Sequence, residues 1–309
     1  MNSMRVGFVG FGEVGRIFCA GLKAAGVEWV GTWDLKFDAA HLQPQEGAAL
    51  RNAASTLGVV PCNSLVELCA ESTLVFSAVT ASSTLAVAQA AAPLLRQGTF
   101  FLDLNSASPG TKRQAAALVD AAGARYVEAG VMTSVPPYGI RVPMLLGGTH
   151  AAVLLPALQA WGMDAKVASE QLGIASATKM CRSVMIKGLE ALVLESYATA
   201  RHHGVEEAMI ATLQETFPGI DWQRQGSYFF SRVAQHGQRR AEEMREVANT
   251  VREAGFAPFM ASAIADKQQW MADQARTGLF SDMSHQADSL SPWQAYADRL
   301  LNPLDAPKG

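Results

Sequence analysis

The order of apolar and polar residues divides the chain into two halves with different patterns. In the first half, short apolar runs alternate with alanine-rich stretches of helical composition. Strands are predicted over residues 5–9, 28–33, 74–79, 99–104, 126–131 and 144–146. Strands that alternate with helices of this length form βαβ units with right-handed crossovers. This half therefore predicts an α/β fold with a doubly wound parallel sheet.

Beyond about residue 168 the strand signals stop and only helical patterns follow. A long helix is predicted over residues 174–202, and it is apolar on nearly all sides between Val184 and Leu194, which is typical of a helix buried at the centre of a domain. Later helices are predicted over residues 206–216, 222–254, 258–276 and 291–300. We therefore expect an α/β domain over residues 1–168 and an all-helical domain over residues 169–309.

Composition and charge exclude several classes of protein. A chain of 309 residues is long enough for about two domains. Its 49% hydrophobic and 17% charged residues exclude a disordered chain. The net charge of -3 provides no basic excess for a nucleic acid or an anionic membrane, and no apolar run is long enough to span a bilayer. We expect a soluble cytoplasmic protein that binds neither nucleic acid nor membrane.

The cysteines and histidines do not indicate a metal or a disulfide framework. The four cysteines are Cys19, Cys62, Cys69 and Cys181. They are scattered, and the spacing of Cys62 and Cys69 does not match zinc ligands. Adjacent side chains on a helix point apart, so the pair His202–His203 is a poor metal site. We expect thiols buried in a reducing cytoplasm and no bound metal.

A glycine-rich segment after the first strand is the strongest candidate for a binding site. Gly10, Gly12 and Gly15 form the pattern G-x-G-x-x-G between a predicted strand and a predicted helix. In this context the glycines permit a tight turn, a close approach of backbone to a pyrophosphate, and close helix packing. The N-terminus of the helix then offers N–H groups to the phosphates. The predicted cofactor-binding residues here are Gly10, Phe11, Gly12, Glu13, Val14 and Gly15, joined by Val79, Thr80 and Asn105 at the ends of later strands.

Asp34 ends the second predicted strand, 24 residues after Gly10. A carboxylate at this position accepts hydrogen bonds from the adenosine ribose hydroxyls and repels a 2′-phosphate. This favours NAD as the cofactor. Lys36 lies two residues further on and could neutralise a 2′-phosphate, so NADP stays open as the alternative.

Four segments in chain order resemble one family. Besides the glycine-rich turn, segment 103–109 is similar to D-x-S-T-x-x-P, segment 128–148 to D-A-P-V-S-G-G … G-G, and segment 173–183 to G-x-x-x-x-x-K-x-x-x-N. Together they resemble the β-hydroxyacid dehydrogenase superfamily, which includes 3-hydroxyisobutyrate and 6-phosphogluconate dehydrogenases. Segments 131–137 and 236–244 resemble a less characterised, phosphogluconate-dehydrogenase-like branch with a C-terminal domain of unknown function. The resemblance implies a Rossmann domain followed by an all-helical domain.

The resemblance also implies catalytic and substrate residues. The lysine of the fourth segment is the general acid/base of the family, and it matches Lys179. A lysine near the start of a buried helix loses hydration, which favours the neutral amine that can accept a hydroxyl proton. Asp103 is expected to orient the loop that carries Asn105 and Ser106. Those two residues are expected to approach the nicotinamide or the substrate.

Three departures from the family pattern affect the substrate pocket. Ser183 stands where the family has asparagine, and the neighbouring Arg182 is a candidate to take over part of its anchoring role. Met132 stands where the family has serine, so Thr133 or Ser134 would have to substitute. The loop that follows contains two prolines where the family has two glycines. These changes predict a more apolar pocket of different shape.

The predicted helix over residues 222–254 supplies two further candidates. His236 and Arg240 continue an apolar stripe that includes Val233 and Met244. Polar groups on such a stripe are costly unless they are paired or functional. We offer both as substrate residues, with Arg240 anchoring an anionic group. The alternative is a structural histidine and an arginine paired with Glu242 or Glu243. The aromatic residues of this helix are expected in the core or a dimer contact: Trp222, Tyr228, Phe229 and Phe230.

The expected function is hydride transfer between NAD(P) and a hydroxy acid or related secondary alcohol. Imine reduction on the same scaffold is a second hypothesis, which Lys179 argues against. A non-catalytic NAD(P)-binding redox sensor is a third, which Met132 and Ser183 keep open. The partners expected are a small-molecule substrate and a second copy of the chain. We expect a homodimer because the helical half is rich in apolar residues yet has only about 140 residues to cover them.

Overall fold

The computed structural model describes residues 4–37, 44–285 and 289–301. It divides into two units, Met1–Cys181 and Arg182–Gly309. The division falls inside a long helix, C-terminal to residue 168, and the boundary at residue 168 stays a prediction. The first unit contains all the described strands, and the described part of the second unit is helical. The fold class predicted from the sequence is therefore confirmed.

The first unit is built on one sheet of eight strands. The strands are β1 (Val6–Val9), β2 (Val30–Trp33), β3 (Val60–Pro61), β4 (Leu74–Ser77), β5 (Phe100–Asp103), β6 (Arg125–Val131), β7 (Met144–Gly147) and β8 (Ala165–Ser169). Their spatial order is β3-β2-β1-β4-β5-β6-β7-β8. The first six strands follow the Rossmann order, which reverses direction between β1 and β4. Ligands of such sheets bind outside the carboxyl ends of the strands at that reversal.

One neighbouring pair departs from the predicted parallel arrangement. β6 and β7 are antiparallel, with Val131 opposite Met144, whereas the other neighbouring pairs of described strands are parallel. The connection between β6 and β7 contains only a short 3-10 helix, Gly139–Arg141. An antiparallel pair needs no crossover helix, so this short loop is sufficient. The predicted strands are confirmed within a few residues, and β3 and β8 were not predicted.

Helices surround the sheet, and two apolar cores lie against it. The helices of the first unit are α1 (Glu13–Ala24), α2 (Pro44–Thr56), α3 (Leu65–Glu71), α4 (Thr84–Ala91), α5 (Pro109–Ala121) and α6 (Ala151–Ala160). Successive residues of a strand point to opposite faces of the sheet. Accordingly, Leu74 and Phe76 belong to one core, and Val75 belongs to the other. Phe8 stacks on Phe76 in the first core, with ring centroids 4.6 Å apart.

Helix α7 (Ile174–His203) leads into the second unit. The helices that follow are α8 (Glu206–Thr216), α9 (Trp222–Glu253), α10 (Phe259–Arg276) and α11 (Trp293–Leu301). Asp221 is the N-cap residue of α9. Its side chain accepts a hydrogen bond from the backbone N–H of Arg224 at 3.0 Å. The core of this unit contains Phe230, Trp293 and Tyr296, all fully buried. Trp222 and Phe229 are buried with them, whereas Tyr228 is 43% exposed.

The surface of α7 corrects one expectation. Because the segment between Val184 and Leu194 is apolar on nearly all sides, the sequence predicted that it is buried at the centre of a domain. In the structure of the single chain, Met185 is 74% exposed and Leu192 is 58% exposed. These two residues are seven positions apart and therefore share one face of the helix. Among the residues that the structure describes, no helix has the length and the apolar run needed to cross a membrane.

The four cysteines are free thiols in two different environments. Cys19, Cys62 and Cys69 are buried, and Cys181 is exposed. Burial raises the pKa of Cys19. Burial likewise raises the pKa of Cys62 to about 11 and that of Cys69 to about 12. The three buried thiols are therefore protonated at neutral pH.

Candidate active site

The glycine-rich turn joins β1 to α1 and leaves an open space beside its backbone. Gly10 has a φ of +99°, and a Cβ atom there would lie 2.4 Å from the carbonyl oxygen of Ala78. In contrast, a Cβ atom on Gly12 would meet no other atom of the described chain within 4 Å. Gly12 is the N-cap residue of α1, and it provides no side-chain hydrogen bond to the helix. The first N–H groups of α1 are therefore suited to phosphate oxygens, as the sequence predicted.

The carboxylate of Asp34 is fixed against this turn. Its Oδ2 accepts a hydrogen bond from the backbone N–H of Phe11 at 2.6 Å, and its Oδ1 accepts one from the backbone N–H of Lys36 at 2.9 Å. Each carboxylate oxygen has a second lone pair, so both can still accept ribose hydroxyls. The Phe11 ring is buried and packs near Phe37, with centroids 6.1 Å apart. The Lys36 side chain is exposed.

Asn105 connects the carboxyl ends of β4 and β5. Its Oδ1 accepts a hydrogen bond from the backbone N–H of Val79 at 2.8 Å, and its Nδ2 donates to Ser77 Oγ at 2.9 Å. The side chain is 4% exposed. Asn105 therefore holds the two loops at the strand ends in a fixed relation. Val79 is half-buried and the neighbouring Thr80 is exposed.

A buried network of charged and polar groups supports the loop after β5. Asp103 Oδ1 accepts hydrogen bonds from the backbone N–H of Asn105 and from Lys112 Nζ, both at 2.9 Å. Asp103 Oδ2 accepts one from the Tyr126 hydroxyl at 2.7 Å. Burial and the Asp103 charge raise the pKa of Tyr126, which keeps the hydroxyl protonated as a donor. The prediction that Asp103 orients the loop carrying Asn105 is confirmed.

Lys179 contacts the same loop. Its Nζ donates a hydrogen bond to Ser106 Oγ at 2.6 Å, although the two residues are 73 positions apart in the sequence. Lys179 lies near the start of α7, and its side chain is half-buried. The structure therefore brings together Lys179 and Ser106, two residues that the resemblance had assigned to the reaction site.

Sequence reasoning missed Glu128, which holds the first turn of α7. Glu128 is fully buried in β6. Its Oε1 accepts hydrogen bonds from the backbone N–H groups of Gly173 at 2.7 Å and Ala175 at 3.2 Å, and its Oε2 accepts one from Ser176 Oγ at 2.8 Å. A carboxylate at a helix N-terminus is stabilised by the helix dipole. Its signal in the sequence was a lone acidic residue inside an apolar strand.

The loop after β6 holds two further predicted residues. Thr133 is exposed and Ser134 is half-buried. The loop starts with a hydrogen bond from the backbone N–H of Met132 to the Pro143 carbonyl oxygen at 2.9 Å. The substrate-binding role of Thr133 and Ser134 stays a prediction.

Ser183 and Arg182 are in different surroundings within the helical unit. Ser183 is buried, and its Oγ accepts a hydrogen bond from Lys187 Nζ at 3.3 Å. Lys187 also forms an ion pair with Glu243, with Nζ 2.9 Å from Oε2. Arg182 is exposed. The serine that replaces the family asparagine is thus hydrogen-bonded to a second lysine of the same helix.

The Arg240 side chain is engaged inside the helical unit. It is 7% exposed and forms an ion pair with Glu190, which is 3% exposed. The sequence favoured Glu242 or Glu243 as the structural partner of Arg240, whereas the observed partner is Glu190. The role of Arg240 as a substrate anchor stays a prediction.

His236 is half-buried on the same helix face as Arg240. Burial lowers the pKa of His236 to about 4, and the charges of Arg232, Arg239 and Arg240 and the nearby His285 contribute to the decrease. His236 is therefore neutral at pH 7 and can either donate or accept a hydrogen bond. Among the described residues, no three His, Cys, Asp or Glu side chains are grouped so that they could hold a metal ion.

Comparison with known proteins identifies both units. The model described as the NAD binding domain of 6-phosphogluconate dehydrogenase matches residues 5–167, and the domain of unknown function DUF1932 matches residues 200–271. A conserved hypothetical protein from Sinorhizobium meliloti 1021 is 35% identical, with 96% of each chain covered and a TM-score of 0.71. The conserved protein MTH1747, of unknown function, is 30% identical, with 89% of this chain and 98% of that chain covered and a TM-score of 0.65.

A more distant enzyme shares the fold. The 3-hydroxyisobutyrate dehydrogenase of Mycobacterium tuberculosis is 17% identical, with 96% of this chain and 99% of that chain covered and a TM-score of 0.68. The open space at Gly12 and the uncapped start of α1 fit the dinucleotide that this domain family binds. The chain belongs to the family that joins the NAD binding domain of 6-phosphogluconate dehydrogenase to DUF1932, within the β-hydroxyacid dehydrogenase superfamily.

Proposed function

We propose that the chain is an NAD(P)-dependent dehydrogenase or reductase that acts on a hydroxy acid or a related secondary alcohol. The observation that carries the proposal is the hydrogen bond of Lys179 Nζ to Ser106 Oγ. Through this contact, an amine able to move a proton is attached to the loop after β5, in the same unit as the glycine-rich turn. A dinucleotide site and a positioned acid/base are the two components that hydride transfer from an alcohol requires.

The cofactor supplies the acceptor or donor of the hydride when it is bound. The N–H groups at the start of α1 bind the pyrophosphate, and Asp34 binds the adenosine ribose. In the direction of oxidation, the neutral Lys179 amine accepts the hydroxyl proton of the alcohol while the hydride leaves the same carbon. Ser106 Oγ accepts a Lys179 N–H and so orients the amine, and Asn105 keeps the loop in place.

The alternative function is NAD(P) binding without turnover, as in a redox sensor. The observation that favours it is Ser183, whose hydroxyl is hydrogen-bonded to Lys187 where the family pattern has an asparagine. The two functions differ in one measurable respect. A sensor binds the dinucleotide but does not turn over any alcohol or carbonyl compound.

A substrate screen tests the proposed function. The wild-type chain is incubated with a panel of hydroxy acids and the matching carbonyl compounds, and the absorbance of NADH or NADPH is followed. We expect turnover with at least one class of hydroxy acid, and we expect it to disappear in a Lys179→Ala variant. Cofactor binding without turnover across the whole panel would instead support the sensor.

We predict that the chain binds NADH more tightly than NADPH. Asp34 is hydrogen-bonded to the turn itself, so a 2′-phosphate would be placed beside a fixed negative charge. The measurement is a fluorescence titration with both cofactors. The Asp34→Asn variant removes the charge with little change in shape, and its preference for NADH should be smaller. NADPH binding that is tenfold tighter in the wild type, equal to about 1.4 kcal/mol, would show that Lys36 determines the choice.

We also predict a homodimer whose contact lies on the helical unit. The exposed Met185 and Leu192 form an apolar face on α7 that a second copy would cover. Light scattering at micromolar concentration should give twice the chain mass. Leu192→Glu should shift the mass towards the monomer, whereas Val153→Glu on α6, at a residue that is 62% exposed, should not. A monomeric wild type contradicts the prediction.

A further inference from the structure

Helix α9 carries a group of basic side chains that the proposed reaction does not use. Arg232, His236 and Arg240 are spaced four residues apart, and Arg239 lies one position before Arg240. Residues at this spacing lie on one side of a helix. We call Arg232, His236, Arg239 and Arg240 the α9 basic cluster. All four belong to the helical unit.

The carboxylates of Glu190 and Glu243, near the α9 basic cluster, have ion-pair partners other than Arg232. Glu190 pairs with Arg240, and Glu243 pairs with Lys187. Glu242 Oε1 accepts a hydrogen bond from Gln238 Nε2 at 3.4 Å. Neither Glu190 nor Glu243 therefore forms an ion pair with Arg232.

Arg232 is the member of the cluster with the least compensation. It is half-buried, and its guanidinium lies 6.0 Å from the centroid of the Tyr228 ring. Within residues 4–37, 44–285 and 289–301, no carboxylate oxygen forms an ion pair with it. Burial lowers the pKa of Arg232, the charges of Arg240 and Arg239 contribute to the decrease, and Tyr228 and Glu190 oppose it. A half-buried guanidinium that has no ion pair is unfavourable until an anion binds to it.

Arg240 adds a second observation. This residue is 7% exposed, and its Nε–H has no acceptor among the described residues. Buried guanidinium donors are normally satisfied, because a buried donor without an acceptor destabilises the folded state. The ion pair with Glu190 thus leaves one guanidinium donor of the cluster without an acceptor among the described residues.

We propose that the α9 basic cluster is a binding site for a small oxyanion, a carboxylate or a phosphate group, with Arg232 as its principal ligand. A guanidinium matches either group with two parallel hydrogen bonds. His236 and Arg239 flank Arg232 and supply further donors. This site differs from the substrate anchor predicted from the sequence. The predicted anchor was Arg240, which is paired with Glu190, whereas the principal ligand proposed here is Arg232. It requires no hydride transfer, so it holds whether the chain is a dehydrogenase or a sensor.

The test uses the full chain without cofactor. It is titrated with inorganic phosphate in one series and with malonate in another, at constant ionic strength, and the imidazole signals are followed by NMR. His236→Gln identifies the His236 signal. We expect saturable binding and a rise of the His236 pKa from about 4, because the bound anion offsets the arginine charges. Saturation by phosphate alone, by malonate alone or by both supports the site and identifies the chemical class.

Arg232→Gln should weaken this binding at least tenfold. Arg224→Gln is the matched control, because Arg224 is an exposed arginine on the same helix. Circular dichroism checks that both variants fold, and Arg239→Gln provides a second variant with an expected intermediate effect. The proposal is overturned if neither anion saturates the wild type, or if Arg232→Gln binds as well as Arg224→Gln does.

Discussion

Replacing Lys179 by alanine is expected to lower turnover by 10²–10⁴-fold, the usual effect of losing a positioned acid/base. This corresponds to about 3–5 kcal/mol of transition-state stabilisation. Cofactor affinity should stay nearly unchanged, because the phosphates and the ribose are held by the glycine-rich turn and Asp34. Lys179 contacts the Ser106 loop instead. Steady-state kinetics give the turnover, and fluorescence titration gives the cofactor affinity.

Three further measurements separate a chemical from a structural role of Lys179. Lys179→Arg should not restore activity, since a guanidinium stays protonated and cannot accept the hydroxyl proton. The oxidation rate of the wild type should increase with pH, and Lys179→Ala should lose this increase. Lys166→Ala, which changes an exposed lysine of β8, should keep the wild-type rate. If Lys179→Ala retains more than about a tenth of the wild-type rate, far above the expected range, the lysine is structural.

Lys112→Met is expected to lower the free energy of unfolding by about 3–5 kcal/mol. The side chains of Lys112 and Asp103 are each 1% exposed, with Nζ 2.9 Å from Oδ1. Methionine fills a similar volume but leaves the Asp103 carboxylate buried without its cation. Because Asp103 also holds the backbone of Asn105, the loop after β5 should become less ordered. Urea denaturation of both proteins measures the difference.

The control for this experiment is an ion pair at the surface of the same unit. Arg5 and Glu71 are 2.5 Å apart, with side chains 38% and 49% exposed. Exposed pairs contribute about 0–1 kcal/mol, so Glu71→Gln should change stability little. If both variants lose the same free energy of unfolding, burial does not increase the contribution of the Lys112–Asp103 pair to stability.

The parts of the site that the sequence predicted are those with local signals. The glycine-rich turn has a fixed pattern between a strand and a helix, and Asp34 lies at a fixed distance from it. Lys179 was found through a motif of the resemblance rather than through its contacts. Its partner Ser106 was assigned in the same way, and the hydrogen bond between them joins residues 73 positions apart.

The features that the sequence did not predict depend on contacts between distant segments. Glu128 binds the start of α7 across 45 positions of sequence, and Arg240 pairs with Glu190 across 50. No periodicity in the sequence encodes such a pair, because either residue could have been paired with a nearer neighbour. The antiparallel direction of β7 likewise depends on the conformation of the loop between β6 and β7, which no local sequence pattern determines.

The unequal burial of the four cysteines has a practical consequence for spectroscopy. Alkylating reagents react with thiolates, and the three buried cysteines are protonated at neutral pH and shielded from solvent. Cys181 is exposed and lies two residues after Lys179 on α7. Side chains two positions apart on a helix do not face each other, so a label on Cys181 does not lie over the amine. The native chain thus provides one position for a fluorine or fluorescent probe near the start of α7, without prior removal of the other thiols.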